Sequence, residues 1–136
     1  MKASNPGASD SFGFAIALSA NGTTLAVGAY DEDSAKTGII PGAPDDAATP
    51  DDVNTVTSGA VYVYTRSPTT WAPQAYVKAS NTGNGDSFGR AVALSAEGNV
   101  LAVGAFSEAS AATRVNNTLP GQSDNTAPSA GAVYLY

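Results

Sequence analysis

The chain has 136 residues, a net charge of −6 and neither Cys nor His. That excludes a disulfide framework, a thiol nucleophile, a Ser-His-Asp triad and an imidazole metal site. Six Lys and Arg against twelve Asp and Glu argue against nucleic acid as a partner, and no apolar run approaches the roughly 18–20 residues of a membrane span. The hydrophobic fraction is 43%, but Ala supplies 26 of those 58 residues and Leu, Ile, Val and Phe together only 24. The core is therefore expected to be thin, and 14 Gly with 8 Pro predict many turns.

The opening stretch, Met1-Lys2-Ala3-Ser4-Asn5-Pro6, lacks the apolar run of a signal peptide. From Lys2 onward the chain repeats itself. Shifted by 76 residues, 2–35 lies on 78–111 with 23 of 34 positions identical. Ser58-Gly59-Ala60-Val61-Tyr62-Val63-Tyr64 matches Ala130-Gly131-Ala132-Val133-Tyr134-Leu135-Tyr136 at an offset of 72. Duplication explains both blocks.

Phe14-Ala15-Ile16-Ala17-Leu18 alternates small and large side chains, the period of a half-buried strand. Asn21-Gly22 then predicts a tight type I′ hairpin into Leu25-Ala26-Val27-Gly28-Ala29. After a long connection, Ala60-Val61-Tyr62-Val63-Tyr64 reads as a third strand, rich in β-branched and aromatic residues. A fourth spans Trp71 to Lys78, and Pro73, which lacks an N–H, puts it at a sheet edge. The second copy repeats three strands, at Ala91-Val92-Ala93-Leu94, at Leu101 to Ala105 and at Ala132 to Tyr136. Nothing reads as a helix.

Four consecutive antiparallel strands in about 76 residues make a β-propeller blade. The expected fold is all-β, with about two four-stranded antiparallel meanders in an incomplete ring. Residues 1–79 form the first blade (strands about 14–19, 24–29, 60–65 and 71–79). Residues 80–136 form the second without its outer strand (about 90–95, 100–105 and 131–136). A free 132–136 edge would be a template for aggregation. The chain is thus expected to be part of a longer repeat protein, or to have that edge covered by another chain.

Phe12-Gly13 and Phe88-Gly89, Val27-Gly28-Ala29 and Val103-Gly104-Ala105, and Gly59-Ala60-Val61-Tyr62 and Gly131-Ala132-Val133-Tyr134 together resemble the FG-GAP repeat. That repeat is the blade of integrin alpha-chain propellers and of bacterial extracellular proteins. Trp71-Ala72-Pro73-Gln74 looks like the outer strand of the bacterial type. The sequence departs from the family at Tyr30 and Phe106, where the family has Pro. The family's calcium loop joins the first two strands. Here those hairpins, 19–23 and 95–99, are too short to supply the roughly six to eight oxygens calcium takes.

Meander connectivity puts the long connections 30–59 and 106–131 on one face with 4–11 and 80–87. Connections of this length are commonly functional or disordered. The first carries Asp31, Glu32, Asp33, Asp45, Asp46, Asp51 and Asp52 with Lys36 as its only base. With Asp124 of the second, Asp31, Glu32 and Asp33 are the candidate calcium or cationic-ligand residues; the alternative is a solvated acidic loop. Asp10 and Asp86, before Ser-Phe-Gly in both copies, are ligands or, more simply, acceptors of backbone N–H bonds. Phe12 and Phe88 are expected as plugs between blades, with Gly13 and Gly89 allowing close approach. Gly28, Gly59, Gly104 and Gly131 complete the repeat motif. Asn21-Gly22-Thr23 and Asn116-Asn117-Thr118 match the glycosylation sequon. Tyr62, Tyr64, Tyr134 and Tyr136 either pack between blades or stack on sugars.

The expected function is a non-enzymatic extracellular or cell-surface segment that binds or adheres through its long loops. Its partners would be other blades of the same chain or neighbouring copies, and a protein or carbohydrate ligand. The alternatives are a structural module assembled through strand edges, and a non-catalytic domain of a secreted hydrolase.

Overall fold

A computed structural model describes residues 1–43, 55–113, 115, 122 and 124–136. Eight strands run in chain order: β1 (Ala15–Leu18), β2 (Thr24–Ala29), β3 (Ile39–Pro41), β4 (Ala60–Ser67), β5 (Thr70–Val77), β6 (Phe88–Leu94), β7 (Leu101–Ala105) and β8 (Ala132–Leu135). They form two sheets, ordered β1-β2-β4-β5-β3 and β6-β7-β8, with every pair antiparallel. The described residues contain no helix. The fold is all-β and consists of incomplete β-propeller blades.

The pleat sorts side chains by parity. On β4, Val61 and Val63 turn toward the second sheet, where they join Ala26, Val77, Phe88, Leu101 and Val103 in a buried core. Tyr62 and Tyr64 turn the other way and pack with Val27, Tyr76 and Phe12. The first sheet therefore presents aliphatic side chains to the seam, where Phe88 of the second sheet meets them, and aromatic side chains on its opposite face. Phe12 meets the Tyr62 ring edge-on, with centroids 5.2 Å apart, and Phe88 meets Tyr134 the same way at 5.4 Å. This places the four tyrosines in packing. Tyr64 also donates to the carbonyl of Lys2 (3.1 Å) and Tyr136 to that of Lys78 (2.7 Å).

Two local expectations need correction, the outer edge of β5 beside β3 and the Asn21-Gly22 turn, while at Pro73 β5 has no outer neighbour among the described residues. The short strand β3 has no counterpart in the sequence reading; Ile39, Ile40 and Pro41 pair with Val77, Tyr76 and Ala75, so β5 is covered along that stretch. Pro73 lies at a register shift on β5, where Val63 pairs with Ala75 and Tyr64 with Pro73, leaving Gln74 as the extra residue. Such a bulge tolerates a missing N–H. The Asn21-Gly22 connection is not a two-residue type I′ turn. Of that pair only Gly22 has positive φ (69°), and the Asn21 Oδ1 instead accepts from the Thr23 N–H (3.0 Å) and the Ser19 hydroxyl (2.7 Å). An Asn side chain mimicking a turn in this way removes the need for a left-handed backbone.

Candidate functional site

The ends of β2, β4 and β5 converge where the long connection leaves and re-enters the first sheet. Glu32, Ser34, Ser58 and Lys78 meet there, and all four are buried. The Lys78 ammonium lies 2.7 Å from Glu32 Oε2 and donates to the Ser58 hydroxyl at 2.8 Å. Ser58 in turn donates to the backbone carbonyls of Glu32 and Ser34. The second carboxylate oxygen, Oε1, accepts from the Asn5 amide (3.1 Å), whose own carbonyl accepts from Tyr62. Ser34 reaches the Tyr76 hydroxyl at 2.6 Å and donates its N–H to Glu32 Oε2. A buried charge is stable only when paired and hydrogen-bonded; here the Glu32 carboxylate accepts from Lys78, Asn5 and Ser34, and the Lys78 ammonium donates to Glu32 and Ser58.

Burial lowers the Lys78 ammonium from its ordinary range, against the pull of the adjacent Glu32 carboxylate. Because three donors surround that carboxylate, the Lys78 ammonium at 2.7 Å, the Asn5 amide and the Ser34 N–H, the charged pair is the form the geometry fits. The Tyr76 and Tyr62 hydroxyls are pushed up, first by burial and then by the Glu32 charge. The cluster is an anchor, tying the 30–59 connection to β5 and to the N-terminal segment.

The second copy builds half of the same anchor. Glu108 is buried, its Oε1 accepts from Asn81 (2.8 Å) and from the Ser110 N–H (3.1 Å), and Tyr134 donates to Asn81. No cation pairs with Glu108 among the described residues. Ala130 stands where Ser58 stands in the first copy.

The structure spreads the candidate metal residues apart rather than gathering them. Glu32 points inward at Lys78. Asp31 accepts from the Ser11 hydroxyl (2.9 Å) and Asp33 from the Thr57 N–H (2.7 Å). Asp124 accepts from the N–H groups of Ala111 and Thr126, which hold its carboxyl below the usual range. Among the described residues no three acidic side chains come together as a metal site. Asp45, Asp46, Asp51, Asp52 and the sequon residue Asn116 lie outside the described residues. The sequon residue Asn21 is exposed, and its amide nitrogen donates to the Glu97 carbonyl at 3.4 Å. Asp10 and Asp86 accept the N–H of Gly7 (2.7 Å) and Gly83 (2.8 Å), and burial raises the Asp86 carboxyl.

The motif glycines mark the seam between the sheets. A Cβ on Gly28 would run into the Gly89 carbonyl oxygen, one on Gly59 into the Phe88 backbone, and one on Gly89 into the Ala60 carbonyl oxygen. Gly59 and Gly89 also have φ of 84° and 89°, a region that L side chains rarely adopt. The segment 85–88 donates backbone hydrogen bonds from Gly85, Ser87 and Phe88 to the carbonyls of Val56, Thr57 and Ser58 (2.9, 2.9 and 3.0 Å). Above the seam the Arg90 guanidinium sits 5.0–5.5 Å from the rings of Phe14, Tyr30 and Phe106.

Sequence reasoning missed Lys78, Asn5, Ser34 and Ser58. One signal was available. Glu32 and Ser34 recur as Glu108 and Ser110, and Lys2-Ala3-Ser4-Asn5 recurs as 78–81, whereas Asp31 and Asp33 become Ser107 and Ala109. Glu32, Ser34, Asn5 and the lysine of the anchor recur in the repeat, whereas Ser58 becomes Ala130.

Residues 71–136 match the family model of the FG-GAP repeat. No curated protein and no solved structure matches the chain. The glycine seam and the buried Phe88 are the features this match accounts for: residues 71–136 are similar to the FG-GAP repeat.

Proposed function

We propose that the chain is a non-catalytic extracellular binding module of the β-propeller type, with its recognition surface on the face of the long connections. The anchor formed by Glu32, Lys78, Ser58 and Asn5 carries this reading. It fixes both roots of the 30–59 connection to a rigid sheet, the arrangement in which loops serve as binding elements. The opposite side has short turns, held together by the Ala20 N–H on the Ala96 carbonyl (3.0 Å).

Asp31, Asp33 and the acids at 45, 46, 51 and 52 give the connection a strong negative charge, with Lys36 as its only base. The partner it suits is a cationic protein or peptide surface, attracted more strongly at low salt. The test replaces 44–54 with a short Gly-Ser linker and titrates a lysine-rich peptide by calorimetry. Binding by the intact chain that the linker variant loses at unchanged melting temperature supports the reading. Equal binding by both chains, or binding by neither, overturns it.

A further inference from the structure

The same blade face occurs twice, once covered and once open. In the covered copy Gly28, Gly59, Val61 and Val63 receive Ser87-Phe88-Gly89 together with β6. Their counterparts by the repeat are Gly104, Gly131, Val133 and Leu135. Val61 is 0% exposed and Val133 73%; Val63 is 8% exposed and Leu135 70%. The open face forms a cleft whose lining includes Arg90, Gly104, Phe106, Gly131 and Val133.

The chain also contains a second, undocked version of the segment that covers such a face. Ser11-Phe12-Gly13 corresponds to Ser87-Phe88-Gly89, and exposed Ile16 and Leu18 correspond to Val92 and Leu94, which pack into the seam. Both open surfaces already hold the docked backbone conformation. Ser9, Ser11 and Gly13 have φ of 73°, 58° and 96°, against 80°, 56° and 89° at Gly85, Ser87 and Gly89. Ser129 and Gly131 have 59° and 76°, against 58° and 84° at Thr57 and Gly59. Left-handed serines are costly, and here the cost leaves both surfaces preformed.

Charge points to the same occupant. Glu108 is buried with no cation among the described residues, and the cation of the complete anchor is Lys78. The repeat counterpart of Lys78 is Lys2, which is exposed. We propose that the open face of the second sheet takes the Ser11-Phe12-Gly13 segment of a second copy of this chain. In the resulting head-to-tail assembly, Lys2 of the incoming copy pairs with Glu108. Ile16 and Leu18 of that copy cover Val133 and Leu135. The interface is heterologous, so it propagates into a closed ring or an open filament.

Two variants separate the two surfaces. Gly104→Ala fits the single chain, because its Cβ meets only Ala91 at 3.4 Å and the Ala91 carbonyl oxygen at 3.9 Å. In the docked state that Cβ would strike the incoming Gly13 carbonyl, as Gly28 would strike Gly89. Ile16→Asp with Leu18→Asp alters only side chains that are exposed in the single chain. Sedimentation velocity across a wide concentration range reads the result. The intact chain is expected to give dimers and larger species, each variant alone to stay monomeric with an unchanged circular dichroism spectrum, and their equimolar mixture to give a dimer. An intact chain that remains monomeric, a Gly104→Ala chain that associates like the intact one, or a mixture that does not pair overturns the proposal. The acidic connection takes no part, so the 44–54 linker variant is expected to associate as the intact chain does.

Discussion

Lys78 Nζ and Glu32 Oε2 lie 2.7 Å apart with both side chains at 0% exposure, joining the end of β5 to the start of the long connection 46 residues earlier in the chain. Removing one partner strands the other charge in a dry site, a loss of about 3–5 kcal/mol. Lys78→Met is therefore expected to lower stability by about that amount in urea unfolding. Adding Glu32→Gln removes the stranded charge and is expected to recover part of the loss. A double variant less stable than Lys78→Met would contradict the role of the pair.

The seam glycines give a contrast between equivalent positions. Gly28→Ala must push the Gly89 carbonyl away, whereas Gly104→Ala meets ordinary contacts. In dilute solution the first is expected to cost about 1–3 kcal/mol or more as overpacking, and the second to stay within about 0.5 kcal/mol. Thermal melts of the two variants compare them directly. Equal losses would mean that the sheets do not pack as described.

The Tyr62 hydroxyl donates to the Asn5 carbonyl at 2.7 Å inside the anchor. Tyr62→Phe leaves that oxygen without its donor and is expected to cost about 1–3 kcal/mol. Since Asn5 also contacts Glu32, the loss should be smaller in an Asn5→Ala background. A double-mutant cycle measures that coupling.

Alkaline pH should unfold the chain together with tyrosine ionisation. Burial pushes the Tyr136 hydroxyl up to about 12, and raises Tyr62, Tyr76 and Tyr134 as well. A raised tyrosine contributes stability below its unfolded pKa of about 10 and loses it as pH climbs toward the folded value. Lys78, lowered by burial, acts in the opposite sense: its contribution improves as pH rises toward about 10.4. Above about pH 10 the several tyrosines outweigh the one lysine. Absorbance at the phenolate band and circular dichroism are expected to change together there. Gradual ionisation ahead of unfolding would show that the rings are not buried.

The repeat made the architecture legible in the sequence, because two blocks identical at 23 of 34 positions build units of the same kind. Parity along Val61-Tyr62-Val63-Tyr64 gave each side chain a face, although the same parity at Val133-Tyr134-Leu135 could not tell a covered face from an open one. The anchor was illegible for a different reason. Glu32 stood out as one of three clustered acids, but its partner Lys78 is remote in sequence and reaches it only once β5 has paired with β4. The strand β3 was hidden because three residues have too short a period to read, even though Ile39-Ile40 supplied its apolar signal. Asn21-Gly22 misled because an Asn side chain can close a turn that its backbone does not.

Two docked blades sharing the Phe88-Gly89 seam are the core of this account, and amide hydrogen exchange tests it most directly. In dilute solution the N–H groups of Gly85, Ser87 and Phe88 bond to Val56, Thr57 and Ser58 across the seam. They are expected to exchange as slowly as the amides of β4, while their repeat counterparts at Ser9, Ser11 and Phe12 exchange quickly. Exchange at Phe88 as fast as at Phe12 would show that the blades do not dock, and would contradict the account.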